Sequence, residues 1–219
     1  MPKVIAVLQP KGGAGKTTLS YNLVDAMSRQ GMDVVLVDSD PQGTARDWAA
    51  AREDDQETVR IYAIDRPELL SREVSRIKND YVVIDGASKA NKLAEAAVKA
   101  ADLVLIPVQP SKLDVWASED LVNMIKDRQE MLGDVGRSLK AAFVQTRVIQ
   151  GTNRAKNIRS EIEVFELPVI EGIVVQRVAY PESAGVGQSV FEYKPRDQAA
   201  VDEITLIMNN VLSLLESAE

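Results

Sequence analysis

The sequence contains no cysteine and no histidine. Without cysteine there is no disulfide, no thiolate metal site, no iron–sulfur cluster and no thiol nucleophile. Without histidine, zinc chemistry loses its main nitrogen ligand, and proton transfer or water positioning falls to Asp, Glu, Lys, Tyr or solvent. Long apolar runs are missing too. Val4–Leu8 is too short for a signal peptide or a membrane span and runs at once into a glycine-rich loop. The expectation is a soluble, cytoplasmic protein with no membrane role. Basic charge is also in deficit, 26 Lys and Arg against 33 Asp and Glu. A chain that lives on nucleic acid is usually basic, so any contact with DNA has to come from a local patch.

What the chain does have is a repeated alternation of short apolar runs and helical stretches. The pattern predicts strands over Val4–Leu8, Asp33–Val37, Val59–Ala63, Tyr81–Ile84, Leu103–Pro107, Lys140–Thr146 and Gly172–Val175. Between them it predicts helices over Lys16–Gln30, Thr44–Glu53, Pro67–Lys78, Lys92–Ala100, Leu113–Met131 and Asn153–Val164, with Asp197–Leu215 closing the chain. Continuous apolar strands separated by helices mean a sheet covered on both faces. The expected fold is α/β and doubly wound, a mostly parallel twisted sheet with helices on both sides. No linker, repeat or low-complexity tract divides residues 1–219, so one domain is expected.

Chemistry concentrates first in Pro10-Lys11-Gly12-Gly13-Ala14-Gly15-Lys16-Thr17-Thr18, set between the first strand and the first helix. Glycines let the backbone turn tightly and aim N–H groups at anionic oxygens, and the following helix N-terminus adds partial positive charge. In such a phosphate loop Lys16 reaches the β- and γ-phosphates, the Thr17 hydroxyl meets Mg²⁺ and Thr18 meets the α-phosphate. The usual first glycine of this motif is replaced by Pro10. Two apolar strands then end in acid: Asp38-Ser39-Asp40-Pro41-Gln42 after the second, and Asp85 after Tyr81-Val82-Val83-Ile84. In open α/β sheets such strand ends face the ligand.

The run Lys11-Gly12-Gly13-Ala14-Gly15-Lys16-Thr17, with Asp38-Ser39-Asp40-Pro41-Gln42, resembles the ParA/MinD family of deviant Walker A ATPases, and in particular the small plasmid-partition ParA (ParF-like) type. Pro107-Val108-Gln109-Pro110-Ser111, Thr146-Arg147, Gln176-Arg177 and Ser189-Val190-Phe191 extend the likeness over roughly residues 3 to 195. The resemblance implies an Mg²⁺-dependent ATPase that takes ATP and releases ADP. It implies that Lys11 crosses a homodimer interface to the partner's nucleotide, that Asp38 and Asp85 join Thr17 around Mg²⁺, and that Asp40 positions the attacking water. Residues 12 to 18, Pro107, Thr146 and Arg147 would line the nucleotide. Thr146 stands where many relatives carry an adenine-reading Asn, and Gly86-Ala87-Ser88 where many carry Thr-Pro-Pro.

Residues 137–196 hold nine Lys or Arg against six acids, whereas the remainder holds 17 against 27. A basic region on an acidic chain suits phosphate-backbone binding without base readout, and Arg159, Arg177 and Lys194 are its candidate DNA contacts. The family resemblance adds a nucleoid location and a ParB-like or other cargo adaptor that stimulates hydrolysis. With the first strand starting near residue 3, no N-terminal helix-turn-helix domain is expected. Two alternatives stand beside this reading. A MinD-like membrane ATPase needs a basic amphipathic tail, and the Val201–Glu216 stretch has no Lys or Arg. A metabolic P-loop ATPase needs substrate motifs that are not seen.

Overall fold

The computed structural model describes residues 1–52, 59–88 and 92–217, apart from the side chains of 154–156. Seven strands form one sheet: β1 (Lys3–Val7), β2 (Val34–Asp38), β3 (Ile61–Ala63), β4 (Tyr81–Asp85), β5 (Leu103–Val108), β6 (Lys140–Val148) and β7 (Val169–Val175). Their order is β3-β2-β4-β1-β5-β6-β7. Every pairing is parallel, so the sheet is more uniform than the mostly parallel one expected.

Strand residues alternate between two cores. Ile5, Val7, Val83, Leu103 and Leu105 face one side, with helices α1 (Lys16–Arg29), α2 (Thr44–Ala50), α8 (Ala179–Gly185) and α9 (Gln198–Glu216). Val4, Ala6, Val82, Ile84 and Ile106 face the other, with α3 (Pro67–Val74), α4 (Lys92–Ala100), α5 (Lys112–Ala117), α6 (Glu119–Gly133) and α7 (Asn153–Ile162). Connections that step toward the β3 edge run through α1 and α2, and those that step toward β7 run through α3 to α7. Right-handed crossovers require this division. The chain reverses direction beside β1, which places the loop after β1 in the crevice where such sheets bind ligands.

Several elements differ from the sequence reading; α3, for one, ends at Val74 rather than Lys78. The helix expected over Leu113–Met131 is interrupted at Ser118 and becomes α5 and α6. Helix α8 was not anticipated, because Ala179–Gly185 carries an internal proline and no clear apolar period. Strand β7 begins at Val169 rather than Gly172, and Gly172 sits inside it at φ +98°. The helix expected over Thr44–Glu53 ends at Ala50, and Glu53 lies outside the described residues.

Candidate active site

The phosphate loop is shaped by contacts from behind. The Gly13 carbonyl accepts from Gln109 Nε2 at 3.0 Å and from Arg147 Nη1 at 3.1 Å. The Ala14 carbonyl accepts from Thr146 Oγ1 at 2.8 Å. In a trans peptide the next N–H points opposite to the carbonyl. Anchoring these two carbonyls outward therefore turns the amides of Ala14 and Gly15 inward, as a bound anion requires. Gly15 sits at φ +88°, in the left-handed region where other residues are strained. Arg147, on the loop's wall, is a non-glycine residue in that region at φ +52°.

Three charged side chains converge in front of the loop. Lys16, buried at 5% exposure, donates from Nζ to Ser88 Oγ at 2.9 Å. Burial pulls its ammonium below the usual lysine range, while Asp85 and Asp40 act to raise it. Thr17 Oγ1 donates to Asp85 Oδ2 at 2.7 Å, and Ser20 Oγ donates to Asp85 Oδ1 at 3.2 Å. Burial pushes the Asp85 carboxyl up to about 7, the Thr17 bond opposes the shift, and the charge of neighbouring Asp38 adds to it. Asp40 is half-buried. Its Oδ1 accepts from the Gln42 amide at 2.9 Å, and its Oδ2 lies 3.5 Å from Ser88 Oγ. Ser88 thus stands between Lys16 and Asp40, a link the sequence reading did not anticipate.

Asp38 lies beside Asp85 in the sheet register. Expected in the Mg²⁺ shell, it is fully buried and already bound by three donors: the Asp40 amide, the Arg46 amide and Arg46 Nε. Arg46 also donates to the Asp40 carbonyl at 3.0 Å. The pair Asp38–Arg46 therefore fixes the loop that carries Asp40. Gly86 is needed for a different reason. A Cβ there would come 2.1 Å from Leu8 Cδ2 and 2.9 Å from the Val7 carbonyl, which accepts from the Gly86 amide. That close approach brings the ends of β1 and β4, and so the phosphate loop and Asp85, together.

A cavity of about 340 Å³ adjoins the loop, bounded by Gly15, Thr18, Thr146, Arg147, Gln176 and Tyr180. It has the size of a base and sugar site. Thr146 lines it, but its hydroxyl is committed to Ala14, so Thr146 supports the loop rather than offering a free group to a base. Pro107 contributes its carbonyl to Gln9 Nε2 at 3.0 Å.

These observations meet a family match. Residues 5–190 fit the CobQ/CobB/MinD/ParA nucleotide binding domain. The chain belongs to that family. It is 31% identical over 211 residues to maintenance of carboxysome distribution protein A of Halothiobacillus neapolitanus, covering 95% of each chain. It is 25% identical over 224 residues to the protein ParA of Rhizobium radiobacter, covering 99% of this chain and 92% of that one. Its fold matches the septum site-determining protein MinD of Pyrococcus horikoshii, solved with Mg-ADP, at a TM-score of 0.76 and 17% identity, over 100% of both chains.

The chain is thus a ParA/MinD-type P-loop ATPase with a nucleotide binding domain, and the MinD structure of the same fold holds Mg-ADP. The residues present fit the cation. Thr17 and Asp85 supply hard oxygen donors side by side. Among the described residues no group of three His, Cys, Asp or Glu could hold a metal. Mg²⁺ takes one or two protein oxygens and completes its shell from phosphate and water.

The expected DNA contacts do not gather. Arg159 is exposed on α7, on one side of the sheet, and Lys194 is exposed just before α9, on the other. Arg177 is engaged within the fold. Its guanidinium donates to Glu203 Oε1 at 2.9 and 2.8 Å and lies 3.6 Å from Asp197. Glu203 also accepts from the Val175 amide and the Tyr180 hydroxyl. Arg177 is a tie between β7 and α9, not a free surface charge.

Proposed function

We propose that this chain is a partitioning or positioning ATPase that closes into an ATP-bound homodimer, holds non-specific DNA in that state, and is released when a cargo adaptor stimulates hydrolysis. The observation that carries this reading is the pairing of a buried phosphate lysine, Lys16, with a second lysine, Lys11, that is 38% exposed at the start of the same loop. A lysine that keeps part of its side chain exposed at the loop's start can meet a nucleotide that is not its own. There it can neutralise charge developing on the γ-phosphate as an arginine finger does. Mg²⁺, when bound, screens phosphate charge, while Lys16 binds the phosphates and Asp40 orients water. The relatives named for carboxysome distribution and for ParA support a cargo-moving role.

A membrane-anchored version is disfavoured by α9. Its apolar residues Val201, Ile204, Ile207, Met208 and Val211 are buried against the sheet, and it has no basic residue in its last turn. No helix among the described residues is long and apolar enough to cross a membrane. The test mixes two inactive variants. Lys16→Ala lacks nucleotide binding and Lys11→Ala lacks the crossing charge. A mixture that regains hydrolysis absent from either alone supports action across a dimer. A mixture no more active than its parts overturns it.

A further inference from the structure

The exposed lysine of the phosphate loop is not free. Lys11 Nζ donates to Asp114 Oδ2 at 2.6 Å, joining residues 103 positions apart. Asp114 sits on α5 with its side chain at 1% exposure, while Lys11 keeps 38%. The other carboxylate oxygen, Oδ1, is buried without a hydrogen-bond partner among the described residues. A second link runs beside the first. Gln9 Nε2 donates to Ser118 Oγ at 3.0 Å, and Ser118 Oγ donates to the Asp114 carbonyl at 3.0 Å. The entrance of the phosphate loop is therefore fastened twice, through Lys11 to α5 and through Gln9 to Ser118 just beyond its end. The helix breaks at Ser118, the residue that receives the second link.

We propose that Asp114 is the positioning residue for Lys11. It holds the ammonium at the dimer face and keeps it there when a second copy brings its nucleotide against it. This rests on the reading of Lys11 given above. A buried carboxylate with a single cation is strongly destabilised if the cation leaves, so the lysine stays rather than swinging away. An ammonium has three donors, of which Asp114 takes one, and the others remain for a phosphate. The surroundings suit a closing interface. Leu113 and Trp116, on either side of Asp114, are 65% and 64% exposed. An apposed copy of the chain would cover this apolar surface and exclude water from the ion pair. In the drier site the lysine's charge acts more strongly on a phosphate.

The experiment compares Lys11→Ala, Asp114→Asn, Asp114→Glu and the double variant Lys11→Ala/Asp114→Asn in the full chain. Turnover at saturating Mg-ATP is measured across protein concentration with sheared duplex DNA present, and the affinity for a fluorescent ATP and the melting temperature are measured alongside. The expected result is that Lys11→Ala and Asp114→Asn each lower kcat by roughly 10- to 100-fold with ATP affinity unchanged. The double variant should be no slower than Lys11→Ala alone, and Asp114→Glu should recover part of the rate. Wild-type kcat in Asp114→Asn beside a slow Lys11→Ala overturns the positioning role and leaves the reading of Lys11 intact. Losses that multiply in the double variant overturn it too, since Asp114 would then act apart from Lys11. If Asp114→Asn melts before assay temperature, the Asp114→Glu rate decides. Wild-type turnover in Lys11→Ala overturns both ideas.

Discussion

Thr17 Oγ1 and Asp85 Oδ2 are joined by a 2.7 Å hydrogen bond that spans the phosphate loop and the end of β4. It is the main polar contact opposing the burial that lifts Asp85 to about 7. The sign of the linkage follows. The unfolded chain ionises this group near 3.8 and the folded chain only near 7, so the folded state holds more protons between those values. The contribution of Asp85 to stability is therefore complete below pH 3.8, falls as pH rises, and is lost by about pH 7. At pH 8 the metal-free Asp85→Asn variant should melt above wild type, by roughly 1–4 kcal/mol in stability. It should also lose the extra stabilisation that Mg²⁺ gives with ATP. Thermal melts at pH 5 and 8, with and without Mg-ATP, check both halves.

Lys16 is buried with Ser88 as its close hydrogen-bond partner. Lys16→Ala removes the charge aimed at the β- and γ-phosphates and should abolish most ATP affinity in a fluorescent-ATP titration. Ser88→Ala removes only a neutral hydroxyl. It should cost about 1 kcal/mol or less in binding. Equal, small losses in both variants would place the phosphates elsewhere.

The parallel sheet and its two helical layers were legible because β1, β2, β4 and β5 are continuous apolar runs, as only strands buried on both faces are. The phosphate loop was legible because its residues are contiguous. What escaped were contacts between distant segments. Ser88 is 72 residues from Lys16, and Asp114 is 103 from Lys11. The break at Ser118 escaped for the same reason. Serine is tolerated in a helix, and the interruption coincides with hydrogen bonds to Gln9 and back to the Asp114 carbonyl. The tie of Arg177 to Glu203 escaped because the two lie 26 residues apart and nothing in the sequence marks them as partners.

Asp40 is the acid expected to orient the attacking water. Its loop is held independently by Arg46, so truncation of Asp40 leaves the fold in place. Asp40→Ala should bind ATP with near wild-type affinity and hydrolyse it about 100-fold more slowly. Asp40→Asn keeps an acceptor for the Gln42 amide and should be as slow, which assigns the effect to charge rather than to loop geometry. Wild-type turnover in either variant would move the water-positioning role to another residue.

Arg177→Ala should behave as a stability variant. Removing it leaves Glu203 with the Val175 amide and the Tyr180 hydroxyl but without a guanidinium, at a cost of roughly 1–3 kcal/mol in a denaturant titration. Arg159→Glu and Lys194→Glu change exposed side chains and should leave stability within about 0.5 kcal/mol. If they touch DNA, they weaken binding alike for all sequences.

The most direct measurement is the affinity of the wild-type chain for random-sequence duplex DNA, by fluorescence anisotropy, with no nucleotide, with Mg-ADP and with Mg-ATP, from about 50 to 200 mM salt. The expected result is tight binding in Mg-ATP only, little dependence on sequence, and a steep linear fall of log affinity with log salt from counterion release. Equal binding in Mg-ADP and Mg-ATP, or none in Mg-ATP while the dimer has formed, would contradict a nucleotide-switched hold on DNA.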